Sequence, residues 1–310
     1  MTSIVEDLRK KSIDKLFETR TFQNSFPIWE NKIHGLTNNR TPRQIIDLGD
    51  NLAEIFKSSG GEGRTQSDVS AGGNVWESLV CWYLNLCSIG RRTVVIKHNR
   101  DLIPTPISNA ITVNYNNFVS NTESDIIAIT FPNKLEYRCS VDEIQIRDEN
   151  GEIVQTQNRN GTYNIKNLLN ALCYRDFGEL GIHIIQCKTN WNDNAQIPML
   201  WNMIYSAERF RGNITVGREG YSIHNAGNFT YSFVTVPTSR VENISSDSTC
   251  VKRVNQLSGG NYWGCSTRCN VASSIKEMLN RNFLNNEGAH LETLRQELEY
   301  IDTKYNYFRL

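Results

Sequence analysis

The sequence predicts an α/β protein, and three stretches carry that expectation. NVWESLVCWYLNLC at 74–87 is apolar on nearly every face and long enough for about four helical turns, the pattern of a largely buried helix. SDIIAITF at 124–131 and GIHIIQCKTN at 181–190 are short, apolar and β-branched, as strands buried on both faces are. The 310 residues, 39% hydrophobic, suffice for a sizeable core, and a single domain over 1–310 is expected.

Taken in order, 1–60 reads as a helical amino-terminal subregion built for packing or dimerisation. Ile4, Val5, Leu8, Ile13 and Leu16 mark a helix over 4–19, and Thr41-Pro42 opens another that ends near Ser58. Residues 59–73, rich in Gly and Ser, read as a flexible linker. After the apolar helix come a strand at 93–97, a polar loop with Pro104 and Pro106, a short strand at 110–115, and the buried strand at 124–131. Polar alternation over 136–161, with turn signals at Glu149-Asn150-Gly151 and Asn160-Gly161, predicts a projecting β-hairpin, and 164–174 a helix. The second buried strand precedes a helix over 198–210 with Met199, Met203, Ile204 and Ala207 on one stripe, then strands at 221–223 and 231–236. A Ser-, Asn- and Gly-rich loop covers 239–264, and helices over 270–284 and 288–302 close the chain.

Thirty-three basic and 33 acidic residues cancel, so the strong overall positive field of many nucleic-acid binders is absent, and any DNA surface has to be locally basic. Arg91-Arg92, the runs 97–100 and 209–218, and Lys252-Arg253 could supply one, or could be ordinary solvated faces. Charges scattered through the first 20 residues exclude a signal peptide, and no stretch approaches the roughly 20 apolar residues of a membrane span, so a reducing cytoplasm is expected. Most of the eight cysteines then read as small hydrophobes. Cys265 and Cys269, with Cys250 upstream, lack a fourth zinc ligand. Five dispersed histidines, no Walker-type loop and no Gly-X-Ser-X-Gly elbow argue against the corresponding chemistries.

One constellation remains. Asp125 starts one buried strand, while Gln186 and Lys188 stand two apart at the end of the other; alternation puts those two on one face and turns Cys187 into the core. A lysine at the end of so apolar a run is costly without a purpose. In this pattern the sequence resembles the PD-(D/E)XK nuclease superfamily, in which an acid on one strand and an acid-X-lysine triplet on the next build a metal site. Glu77, in Gly73-Asn74-Val75-Trp76-Glu77, resembles the glutamate that many members carry on a preceding helix. Two positions depart from the pattern: Ser124 stands where the family has proline, and Gln186 where it has the triplet acid.

The resemblance spans roughly 73–210, read as the catalytic core, and implies a restriction-endonuclease-like fold: a mixed sheet of about five strands flanked by helices, with extra terminal helices and a hairpin insertion. It implies catalytic roles for Asp125, Gln186, Lys188 and Glu77, with Mg2+ held by Asp125, the Cys187 carbonyl and Glu77, and Lys188 activating water. A second register, Asp125 with Glu143 and Gln145 of SVDEIQI, competes with it, and Glu123 could join the metal shell. In the bland reading Asp125 caps a turn, Lys188 lies in water and Glu77 pairs with a core arginine.

For DNA contact the candidates are the amides Asn190, Asn192, Asn194 and Gln196 after the lysine, together with Lys252, Arg253, Asn261 and Arg268 in the carboxy-terminal part, 211–310, which carries strands, a recognition loop and helices. Ordinary surface loops explain the amide-rich stretches equally well. The resemblance implies a Type II restriction endonuclease acting on double-stranded DNA as a homodimer, with a cognate DNA methyltransferase as its genetic partner. A repair or recombination nuclease of the same fold, or an inactive DNA-binding protein, are the alternatives.

Overall fold

The apolar run at 74–87 is the second part of a 22-residue helix in the computed structural model. The structure describes residues 2–59, 66–120, 124–189, 196–207, 209–210, 213–237, 240–268, 271–283 and 287–310. Helices α1 (Ile4–Glu18), α2 (Arg20–Leu36), α3 (Pro42–Asp47), α4 (Leu52–Ser58) and α5 (Gln66–Cys87) precede the first strand. Residues 66–73 of the expected linker are therefore helical, and 60–65 lie outside the described residues. Thr41 and Gln44 cap α3 reciprocally, as the Thr-Pro start suggested. The single helix expected up to Ser58 breaks around Gly49, where a Cβ would collide with the Tyr83 hydroxyl and the Lys276 backbone nitrogen. Tyr83 donates to the Ile46 carbonyl at 2.7 Å and draws that turn onto α5.

The remaining elements are β1 (Thr93–Lys97), α6 (Thr105–Ala110), β2 (Val113–Tyr115), β3 (Phe118–Ser120), β4 (Ile126–Thr130), α7 (Leu135–Arg138), α8 (Ile165–Arg175), β5 (Gly181–Lys188), α9 (Gln196–Ser206), β6 (Arg209–Phe210), β7 (Ile214–Val216), β8 (Asn228–Thr235), α10 (Thr249–Asn255), β9 (Gly260–Tyr262), α11 (Met278–Arg281) and α12 (Glu287–Glu297). Five strands form a mixed sheet in the order β1-β4-β5-β8-β9, antiparallel from β1 to β5 and parallel from β5 to β9. A smaller sheet runs β3-β2-β7-β6.

Alternation sorts the main sheet into two cores. Val95, Ile126, Ala128, Ile185, Cys187 and Val234 join Trp76, Leu79 and Tyr83 of α5 in one cluster. Ile96, Ile127, Ile129, Ile182, Ile184 and Phe233 join Leu168 and Leu172 of α8 and Ile204 and Tyr205 of α9 in the other. Helices thus flank the sheet on both faces, which gives the α/β architecture its layers. The outer edge of β1 is closed by side chains: Arg9 donates to Thr93 O at 2.7 Å, Ser12 to Val95 O at 2.8 Å, and Asn85 both donates to Val95 O and accepts from Val95 N. Arg9 is fully buried and is neutralised by Glu6 at 2.9 Å.

Several expected elements differ. Residues 105–110 form a helix rather than a loop, because Pro106 in its first turn suits a helix start. The hairpin expected over 136–161 reduces to a short helix and tight turns with isolated bridges, Arg147 to Ile153 and Gln157 to Tyr163. On α9 the buried side chains are Pro198, Ile204 and Tyr205, while Met203 is 49% exposed, and Arg209 and Phe210 leave the helix for a strand. Residues 223–225 are a 3-10 turn rather than the end of a strand. The expected loop over 239–264 contains α10 and β9. Among the described residues no helix is long and apolar enough to cross a membrane, and the described cysteines are free.

His183 lies fully buried mid-strand between Thr130 Oγ1 at 3.3 Å and Thr230 Oγ1 at 2.8 Å, and burial pushes its pKa down to about 3. In the unfolded chain the ring protonates below about 6.5. Its contribution to stability is therefore full above that pH and is lost as pH falls towards 3. Urea unfolding at pH 7 and pH 5 should show the wild type losing about 1–2 kcal/mol more than His183→Gln over that interval. Parallel pH profiles for the two proteins would overturn this.

Candidate active site

Antiparallel pairing brings the end of β1, the start of β4 and the end of β5 to one edge of the main sheet. Asp125 sits just before β4, where its backbone carbonyl accepts from His98 N at 3.0 Å. Beyond the Ile126–Ile185 pair β4 and β5 separate, and the Asp125 side chain takes over as acceptor: Oδ2 receives the Cys187 N–H at 2.7 Å. Lys188 Nζ lies 3.8 Å from the same oxygen. The carboxylate is thus oriented by a backbone donor and faces an amine from the neighbouring strand.

Glu77 reaches this edge from α5 and lies 3.5 Å from Nζ of Lys97, the last residue of β1. Lys97 also donates to the Asn74 carbonyl at 2.9 Å, to Asn74 Oδ1 and to Ser78 Oγ at 3.1 Å, which ties β1 to α5. Asp125 and Glu77 are each 20% exposed, Lys188 30% and Lys97 18%, so the four charges are half-buried yet open to solvent. Burial and then the Asp125 charge push Glu77 up to about 7, against the pull of Lys97 and Lys188. Burial likewise raises Asp125, opposed by Lys188 and the Cys187 N–H. His98 donates to or accepts from Ser124 Oγ at 3.1 Å, and burial lowers its pKa.

Gln186 is 2% exposed, and its Oε1 accepts from the Tyr231 hydroxyl at 2.7 Å. Cys187 packs into the α5-side core, where burial holds its thiol far above the ordinary range, so only its backbone faces the site. The donors that could hold a metal are therefore hard oxygens: two neighbouring carboxylates and a peptide carbonyl. Among the described residues no group of three or more His, Cys, Asp or Glu side chains forms a metal cluster. Two carboxylates plus water suit Mg2+, which keeps much of its hydration and rarely takes an all-protein cage. Burial and then the Asp125 charge raise Glu77, and a cation between the two carboxylates would relieve the second contribution.

No protein-family model and no curated protein matches this chain.

The competing register is set apart. Asp142 and Glu143 occupy an exposed turn, and Gln145 is exposed beyond it, with none of the three in a strand beside β4. Glu123 lies outside the described residues, as do Asn190, Asn192 and Asn194. Gln196 opens α9 in an exposed position. Lys252 and Arg253 lie on α10, Lys252 exposed and paired with Asp247 at 3.0 Å. Asn261 is on β9 rather than in a loop, and is 4% exposed. Arg268 is exposed, donates to the Glu242 carbonyl, and shares with Asn261 a polar cavity of about 700 Å3 that contains none of the four clustered charges. Of the possible zinc ligands, Cys269 lies outside the described residues.

Lys97 is the residue that sequence reasoning missed. Its signal was present: TVVIK ends in a cation just as GIHIIQCK does, and both strands end at the same edge. The bland pairing of Glu77 with an arginine is replaced by this lysine.

Ionising Glu77 works against folding, since its folded pKa of about 7 exceeds the unfolded 4.5. That cost is absent below pH 4.5 and full above about 7. In metal-free buffer, Glu77→Gln should raise Tm relative to the wild type at pH 8, by the equivalent of about 1–2 kcal/mol, and hardly at all at pH 5. The neutral oxygens of Asn74 and Ser78 still hold Lys97 in that variant. Equal Tm differences at the two pH values would contradict the assignment.

Proposed function

We propose that this protein is a Mg2+-dependent deoxyribonuclease that hydrolyses phosphodiester bonds at a specific site in double-stranded DNA, working as a homodimer in the manner of a Type II restriction endonuclease. The observation that carries the proposal is the approach of Lys188 to Asp125 across two antiparallel strands, with Glu77 joining them from α5. Phosphodiester hydrolysis needs oriented water, charge compensation at the phosphate, and carboxylates to hold a divalent ion.

Asp125, Glu77 and the Cys187 carbonyl would hold Mg2+, which when bound supplies positive charge at the phosphate and a more acidic water. The Cys187 N–H fixes one Asp125 oxygen and so orients the carboxylate before any ligand arrives. Lys188 stands next to that carboxylate, positioned to orient the attacking water and to offset charge that develops on the phosphate. Lys97, bonded to Ser78 of α5, pairs with Glu77 and ties the helix to the end of β1. Gln186 contributes packing and a hydrogen bond to Tyr231.

That last feature favours one second reading, a DNA-binding protein without activity, because the neutral amide adds no negative charge to a metal site. The two readings separate in one experiment. Purified protein with Mg2+ should cut unmethylated phage DNA into discrete fragments, and Asp125→Ala and Lys188→Ala should each slow cleavage by about a hundredfold or more while retaining DNA in gel shifts. Binding without cutting by the wild type supports the inactive reading. Unimpaired cutting by both variants removes the site assignment. DNA methylated by a methyltransferase encoded alongside should resist cleavage.

A further inference from the structure

The main sheet carries a second concentration of charge at the end opposite Asp125. Arg91 and Arg92 immediately precede β1, and Arg138 ends α7, which follows β4. The length of β1 separates this place from Lys97 by roughly 15 Å. The three arginines line a cavity of about 260 Å3.

Arg91 donates to Thr293 Oγ1 at 3.3 Å, while neutral oxygens accept from the other two guanidinium groups: the Phe131 carbonyl from Arg92 and Asn133 Oδ1 from Arg138 at 3.2 Å. The cavity also has carboxylates, but they are committed elsewhere. Glu6 pairs with buried Arg9 at 2.9 Å and accepts from Gly90 N at 3.0 Å, and Glu297 pairs with Lys304 at 3.0 Å and accepts from the Tyr305 hydroxyl. Those pairs cancel. Arg92 and Arg138 have no ion pair among the described residues, so a local positive excess remains. Burial together with Arg138 holds Arg92 below its ordinary pKa, and burial together with Arg92 does the same to Arg91. Like charges are being kept close in a partly desolvated place, an arrangement that an anion would relieve.

We infer that this cavity is a binding site for the phosphate or diphosphate group of a small molecule, held by Arg92 and Arg138 with Arg91 beside them. Planar guanidinium forks match phosphate oxygens two at a time, which lysine does not. The volume of about 260 Å3 is of the size of one or two phosphate groups. The inference does not depend on the nuclease reading, because the site shares no residue with Asp125, Glu77 or Lys188.

Isothermal titration with inorganic pyrophosphate, at ionic strength held constant with sodium chloride and without divalent metal, tests it on the full chain. Saturable binding is expected, with Kd raised about tenfold or more in Arg138→Gln and further in the Arg92→Gln, Arg138→Gln pair. Arg138 is exposed, so Arg138→Gln should keep the wild-type Tm without anion, which guards against a folding artefact. Asp125→Ala should bind pyrophosphate as the wild type does, whatever becomes of cleavage. Absence of saturable binding, or an unchanged Kd in Arg138→Gln, overturns the inference. It is equally overturned if a short DNA duplex displaces pyrophosphate and itself binds Arg138→Gln more weakly, since the phosphates would then belong to a nucleic-acid backbone.

Discussion

Burial of the main sheet on both faces is the constraint from which the rest follows. Side chains of a strand alternate between faces, so a strand covered on both sides has no position along its length where a charge is cheap. All of β4 from Ile126 to Thr130 is buried, and β5 is buried up to Cys187. Charged groups are therefore expelled to strand ends, while His183, buried mid-strand, is held neutral, and antiparallel pairing of β1, β4 and β5 makes those ends coincide. Lys97, Asp125 and Lys188 meet at one edge for that reason.

The same constraint gives α5 its role. The helix is apolar almost all round, and its indole N–H groups are satisfied by carbonyls of other elements, Trp76 by Val234 and Trp82 by Phe308. So fixed a helix holds the backbone of Glu77, a half-buried acid, in place beside the strand ends. The cost appears as the raised pKa of Glu77, a local destabilisation retained at a position where a cation could repay it.

What was legible in the sequence tracks burial. The strands at 93–97, 126–130 and 181–188 were read within a residue or two at their ends, because burial on both faces leaves an uninterrupted apolar run. The helix expected over 164–174 agrees with α8 within a residue at each end, and the Asn164 side chain caps it by accepting from Asn167 N. Polar alternation at 136–161 looked like a hairpin but carries too little apolar surface to sustain one beyond single bridges. On α9 nearly every position is apolar, so sequence could not decide which side faces inward, and Met203 fell on the wrong one. In the candidate site, Asp125 and Lys188 are legible as charges at the ends of two buried strands, whereas the hold of Tyr231 on Gln186 joins residues 45 positions apart and leaves no local trace.

The side-chain closure of β1 has a consequence for assembly. Arg9, Ser12 and Asn85 occupy the backbone groups that a further strand would need at Thr93 and Val95, and the buried guanidinium could be displaced only by leaving Glu6 unpaired. The sheet is thus finished on that side: it offers no template for edge-to-edge pairing, whether productive or aggregating, and two copies of the chain cannot fuse their sheets through β1. An assembly that uses this side of the sheet has to be made by side-chain surfaces, with no strand added at β1.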